Sequence, residues 1–235
     1  MDAEALFREG RLTDAVASLN EAMRNDPTDL RKRTFLFELL CFAGELDRAQ
    51  KQLDAISTAD PERELAAFGY REALRAEETR REMFGKGELP ETGGSPSRLS
   101  GTLNGEPFQD LTDADPRIGP RLEVVVGGRY TWMPLEHLVS LKADPPAHLR
   151  DLFWIPAELK TSPALDSYEG PVLVPAMTPF AWQHPEEAVR LGRMTDWQEL
   201  DDGREAPVGQ KLLLVDDEVF PILEIRELVI TPPAE

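Results

Sequence analysis

A self-similarity at a fixed offset of 34 residues constrains this chain more than any other feature of its sequence. Leu6 aligns with Leu40, Gly10 with Gly44, Leu12 with Leu46, Ala15 with Ala49, Leu19 with Leu53 and Pro27 with Pro61, and that spacing is the period of tetratricopeptide helix pairs. Each matched type has a mechanical reason. The glycine permits a tight turn between paired helices, the alanine lets two backbones approach closely, and the leucines fill the seam. Asp26-Pro27 and Asp60-Pro61 end one helix and begin the next, because proline cannot continue a helix yet suits its first turn. The pattern predicts helices at about Ala3 to Glu9, Thr13 to Arg24, Asp29 to Ala43, Leu46 to Ser57 and Glu62 to Phe84. The fifth carries no repeat pattern and is expected to cap the apolar end of a two-repeat array. Its Glu72, Arg75, Glu78 and Arg81, at helical spacing, read as a solvated face.

Arrays of this kind bind peptides in the groove lined by the first helix of each pair. In the second repeat that helix is expected to present Arg31, Thr34, Glu38, Cys41 and Phe42 as a partner-binding groove. The Lys and Asn pattern that clamps a terminal carboxylate is absent, and Glu38 has the wrong charge for it. This argues against a general co-chaperone and for an amphipathic helix or internal segment as ligand. Three or four buried apolar anchors supply about 1.5 to 3 kcal/mol each, before association costs of about 4 to 15 kcal/mol. The expected affinity of the helical half, residues 1 to 89, is micromolar.

From Gly85 to Gly101 the periodicity vanishes into a run rich in Gly, Pro and Ser, which reads as a linker with a protease-sensitive tip. The predicted organisation is therefore a tetratricopeptide-like all-α array over residues 1–84, a linker over 85–101, and a strand-rich α+β domain over 102–235. In that domain Leu122 to Val126 and Arg129 to Met133 flank Gly127-Gly128, the pattern of a two-residue hairpin. Lys211 to Val215 and Val219 to Leu223 form a second pairing around Asp216-Asp217-Glu218, with Glu224 to Ile230 continuing extended. Phe153 to Pro156 and Pro171 to Pro175 read as short buried strands, and Leu135 to Leu141 and Pro185 to Leu191 as short helices.

A formal charge of −18 repels a phosphate backbone, so nucleic acid is not an expected partner. No apolar run approaches the roughly 20 residues a membrane helix needs, and Met1 leads into Asp2, Glu4 and Glu9 rather than a secretion signal, so a cytoplasmic location away from membranes is expected. Cys41 is the only cysteine, which rules out an intramolecular disulfide and any multi-thiolate metal site.

The search for chemistry is mostly negative. His137, His148 and His184 show no metal-ligand spacing, and neither metal nor cofactor is expected. Asp110, Asp113 and Asp115 suggest a calcium loop, but Arg117 and Val124 stand where oxygen ligands are needed. A hydrolase-like enzyme using Asp113, Asp115, Glu123 and Asp151 is the runner-up reading. Against it, the run Asp-Ala-Asp-Pro-Arg-Ile-Gly-Pro-Arg reads as a turn whose side chains cap backbone N–H groups. Nucleophile elbow, phosphate loop and dinucleotide fingerprint are all missing. Trp132, Trp154, Trp182 and Trp197 read mostly as core, with at most one partner hot spot.

The stretch from Asp110 to Asp115, then Ile118 to Glu123, then Gly128-Arg129-Tyr130-Thr131-Trp132-Met133-Pro134, resembles the ImpE/TagJ family of type VI secretion accessory proteins. Leu149-Arg150-Asp151-Leu152 with Trp154, Arg190 to Arg193 with Thr195, Asp196 and Trp197, and Gly209-Gln210 extend the likeness over nearly all of the second domain. The resemblance implies a non-enzymatic accessory role, binding to the N-terminal helix of the small sheath subunit, TssB, and an indirect link to the ClpV unfoldase through sheath assembly or recycling. Asp113, Asp115, Glu123, Arg129, Tyr130, Trp132, Asp151, Trp154, Arg193 and Trp197 occupy family-motif positions. Two roles stay open for them, a buried ion-pair and hydrogen-bond network or a partner-binding surface.

Overall fold

Glycine sets the geometry of both helix pairs. The computed structural model describes residues 2–57, 61–90, 99–165 and 167–231. In it α1 (Ala3–Arg8) pairs with α2 (Leu12–Asn25), and α3 (Leu30–Phe42) with α4 (Leu46–Ser57). Gly10 and Gly44 hold the two turns at φ of +81° and +76°, a region that favours a residue without Cβ. Asp2 caps α1 by accepting the Ala5 N–H, and Asp29 caps α3 by accepting those of Arg31 and Lys32. The repeat positions Leu12, Ala15 and Leu19, with Leu46, Ala49 and Leu53, are all buried. Helix α5 (Pro61–Lys86) packs on α4 and then runs on against the second half of the chain.

The second half is built from antiparallel strands. Strands β1 (Gly101–Leu103), β2 (Glu106–Phe108), β4 (Arg121–Val126), β5 (Arg129–Pro134), β6 (Leu138–Ala143), β7 (Trp154–Thr161), β8 (Glu169–Pro175) and β13 (Glu227–Ile230) form one sheet, in the order β2-β1-β13-β6-β7-β8-β4-β5. Strand β3 (Leu111–Asp113) joins β11 (Leu212–Val215) and β12 (Glu218–Pro221) in a three-stranded sheet, and β9 (Thr195–Glu199) pairs with β10 (Glu205–Gly209) alone. A single turn of helix, α6 (Glu187–Arg190), precedes β9. Leu122, Val124, Leu141, Leu159, Val174 and Leu228 fill the core of this half together with Leu213.

Both expected hairpins form, at Gly127-Gly128 and at Asp216-Asp217, whose φ angles of +50° and +68° match a tight two-residue turn. The helix expected at Leu135 to Leu141 does not. A 3-10 turn at Leu135–His137 gives way to β6, where the register slips between Leu138 and Ser140. That bulge lets two leucines three residues apart both reach the core, imitating a helical period within a strand. The expected linker begins later than its first residues, because α5 continues through Lys86, and residues 91–98, the expected protease-sensitive tip, lie outside the described residues. Among the described residues no helix is long and apolar enough to cross a membrane.

Candidate functional site

The face of α3 expected to be an open groove is largely filled by the chain's own second half. From Leu36 to Phe42 every residue of α3 is buried, so this half of the helix is covered on all sides. Phe153 and Trp154, at the start of β7, insert against it. The Phe153 ring meets Phe42 edge-on at 5.2 Å, and Trp154 lies 6.3 Å from Tyr70 of α5. Cys41 and Phe42, each 1% exposed, are therefore core residues and not groove residues. Glu38 is also mostly buried and accepts from Arg150 Nη1 at 2.9 Å, while Arg150 Nε donates to Tyr70. Burial raises the Glu38 carboxyl, an effect that Arg150 partly offsets.

Helix α5 is attached to the sheet by buried charge. Arg80 makes a bidentate pair with Glu123 of β4, at 2.7 and 3.0 Å, and both side chains are at most 1% exposed. Lys211 also donates to Glu123, as does the Tyr130 hydroxyl, which in turn accepts from Trp132 Nε1. The Trp132 ring then packs on Phe84 near the end of α5. Burial alone would raise the Glu123 carboxyl, but Arg80 and Lys211 hold it well below the usual carboxylate range. The reading of Glu72, Arg75, Glu78 and Arg81 as a solvated face fails at Arg81. Its guanidinium donates to Gly44 O at 2.9 Å and stacks under Trp182, whose ring lies where a Cβ on Gly44 would be.

The second half also caps the first helix pair. Arg193 donates to the carbonyls of Phe7 and Arg8 at the end of α1, at 2.6 and 3.0 Å. Six residues earlier, Glu187 accepts the Thr13 N–H in the first turn of α2 at 2.8 Å. A cation thus sits on the negative end of one helix dipole and an anion on the positive end of the next.

The carboxylates of the hydrolase reading do not converge on a cleft. Asp113 Oδ1 accepts the Asp115 N–H at 2.9 Å, and Lys211 Nζ lies 2.7 Å from Asp113 Oδ2 but out of line for a hydrogen bond. Asp115 accepts from the Arg117 N–H and guanidinium, and Asp151 accepts the N–H groups of Ala147 and His148, fixing the turn that presents Arg150. The turn-and-cap reading of this cluster describes what these side chains do. His137, His148 and His184 each neighbour a single carboxylate, and no cluster of three His, Cys, Asp or Glu side chains able to hold a metal occurs among the described residues. Two motif residues stand apart. Arg129 is exposed at the hairpin tip, and Trp197 is 41% exposed on the lone β9–β10 hairpin.

Asp113 sets a pH dependence. Burial pushes its carboxyl up to about 6 from 3.8, with Lys211 pulling against the rise and Glu123 adding to it. A raised carboxyl stabilises the fold while protonated, so this contribution is full below about pH 4 and is lost as pH climbs through about 6. Asp113→Asn should therefore match the wild type near pH 4 and exceed it by about 1 to 3 kcal/mol at pH 7. Urea unfolding at four pH values checks this, and a difference that does not change with pH counts against it.

What stays open of the expected groove is its outer end. Arg31, Thr34 and Glu38 line a surface cavity of about 350 Å³, joined by Leu30, Phe35, His148 and Leu149, which the sequence reading missed. Those from the second half carried no local signal, since only the tertiary fold brings them to α3.

A tetratricopeptide-repeat family model matches residues 6–69, and a model described as ImpE protein matches residues 105–229. A Pseudomonas aeruginosa protein named type VI secretion system accessory component TagJ is 36% identical over 265 aligned positions, covering 99% of this chain and 92% of its own length. The chain belongs to the ImpE/TagJ family. A crystal structure of protein VPA1032 from Vibrio parahaemolyticus matches with a TM-score of 0.85 at 22% identity over 98% of both chains, a likeness of fold alone. In this ImpE/TagJ chain the motif residues Glu123, Tyr130, Trp132, Trp154 and Arg193 fasten the helical array to the strand-rich domain, which favours the buried-network role over a binding surface for those five.

Proposed function

We propose that the chain is a non-catalytic accessory protein of the bacterial type VI secretion system, acting in the cytoplasm. It binds the N-terminal amphipathic helix of the small sheath subunit, TssB, and so modulates sheath assembly or recycling by ClpV. The observation that carries this reading is the open outer end of the α3 groove, in a chain related along its length to a named accessory component. The inner part of that groove already holds Phe153 and Trp154, so an incoming helix extends an apolar seam that the chain itself begins. Arg31 and Arg150 outnumber the one carboxylate at the opening, Glu38, and leave it net positive in a chain of charge −18, which suits an acidic polar face on the partner helix.

The test is calorimetry of the full chain with a synthetic TssB N-terminal helix. Residues 1 to 89 alone would leave α3 uncovered and are the wrong reagent. A micromolar Kd is expected, weakened about tenfold by Arg31→Glu and by Phe35→Ala, about 1.4 kcal/mol each. Absence of heat at high micromolar peptide, or binding in both variants as tight as in the wild type, overturns the assignment.

A further inference from the structure

A second cavity, of about 480 Å³, lies beside α5 on the face of the eight-stranded sheet that α5 packs against. Its floor is a row of cross-strand neighbours, Val125 of β4, Leu173 of β8 and Pro156 of β7. Its wall is Phe68 and Gly69 of α5. Phe68 is 58% exposed, the most exposed large hydrophobic side chain among the described residues. Gly69 is odder. It sits inside a helix, where alanine would be preferred, and beyond its chain neighbours and its own helix backbone no atom of the described residues lies within 4 Å of where its Cβ would be. Packing among the described residues therefore does not require this glycine, and helix propensity opposes it. A missing side chain beside an exposed phenylalanine lets another backbone approach closely.

The rim of this groove is acidic. Glu72, Asp144 and Glu158 line it; Glu72 already pairs with Arg75 at 2.5 Å, and the one lysine there, Lys142, lies 2.9 Å from Glu227, so Asp144 and Glu158 carry the acidic character. We propose that this groove is a second docking site, whose occupant is an amphipathic helix of a partner protein with a basic polar face. Its apolar stripe covers Phe68 and the sheet row, its backbone passes Gly69, and its cations meet the rim carboxylates. The charge is opposite to that of the α3 opening, so the two sites select different helices and the protein can bridge two partners.

The test uses the full-length protein and an 18-residue labelled peptide of Leu, Ala and Lys with leucines on one helical face, beside a twin with Glu for Lys. Gly69→Ala and Gly69→Leu should raise the thermal midpoint, by about 2 to 4 °C for alanine. Fluorescence anisotropy should show the Lys peptide binding the wild type with a micromolar Kd, at least tenfold more weakly in Gly69→Leu and in Phe68→Ala, and equally well in Arg31→Glu. The Glu twin should bind at least tenfold more weakly than the Lys peptide. Absent binding, unchanged binding in either groove variant, equal binding of the two peptides, or loss of binding in Arg31→Glu each overturns the proposal.

Discussion

Glu123→Ala is expected to lower stability by about 3 to 5 kcal/mol, a large part of what a domain of this size has. The carboxylate is 0% exposed and shared by two buried cations, Arg80 and Lys211. Removing it leaves Arg80 with only the longer contacts to Glu77, at 3.3 and 3.4 Å, and Lys211 with Asp113. It also takes the acceptor from the Tyr130 hydroxyl. An uncompensated buried charge costs far more than the net worth of the pair it came from. Replacing both ends of the link between α5 and β4, Arg80→Met with Glu123→Leu, should recover part of the loss, because apolar groups of similar size need no counter-ion. Urea unfolding followed by circular dichroism measures both. A loss under about 1 kcal/mol in Glu123→Ala would mean that this network does not carry the attachment of α5.

Trp154→Ala should cost a comparable amount, about 3 to 5 kcal/mol. The side chain is 1% exposed and touches both halves, with its ring 6.3 Å from Tyr70 and 4.6 Å from Phe153, which itself packs on Phe42. Few neighbours can collapse into the space, since α3 and β7 are each pinned by other contacts. Because the cavity opens in a core common to the array and the sheet, the helical signal and the tryptophan near-ultraviolet signal should shift to the same lower midpoint. Two separated transitions, with the helical one unmoved, would show instead that the halves fold independently.

Local pattern made the repeats and hairpins legible. The offset of 34 residues placed the four helices of the two repeats to within one residue at each end, and Gly127-Gly128 located the central hairpin. The attachment of the two halves was not legible in the same way, because Arg80 and Glu123 lie 43 residues apart, and Arg193 and Phe7 186. Two warnings were nevertheless present. From Phe35 to Phe42 helix α3 reads Phe-Leu-Phe-Glu-Leu-Leu-Cys-Phe, apolar around its circumference but for Glu38, and a helix segment of that kind must be covered on every side. Glu77 and Arg80 share a face of α5 with Ala73, Leu74 and Phe84, so a charged pair sat in a buried stripe. The three-residue strands β1 and β2 offered too few residues to show a period of two, and β9, exposed along nearly its whole length, had no apolar face to alternate.

The place of β13 in the large sheet governs the order in which the molecule can be assembled. The last strand in chain order lies between β1 and β6, an interior position, with Gly101 facing Ile230 and Leu141 facing Leu228. During synthesis the helices emerge first, yet their caps at Glu187 and Arg193 and the middle of the sheet that supports them arrive much later. Contacts of such long sequence separation make folding slow and leave apolar surface uncovered in the interval. The nascent array must therefore wait in a sticky, half-finished condition until the final strand slots into the gap left for it.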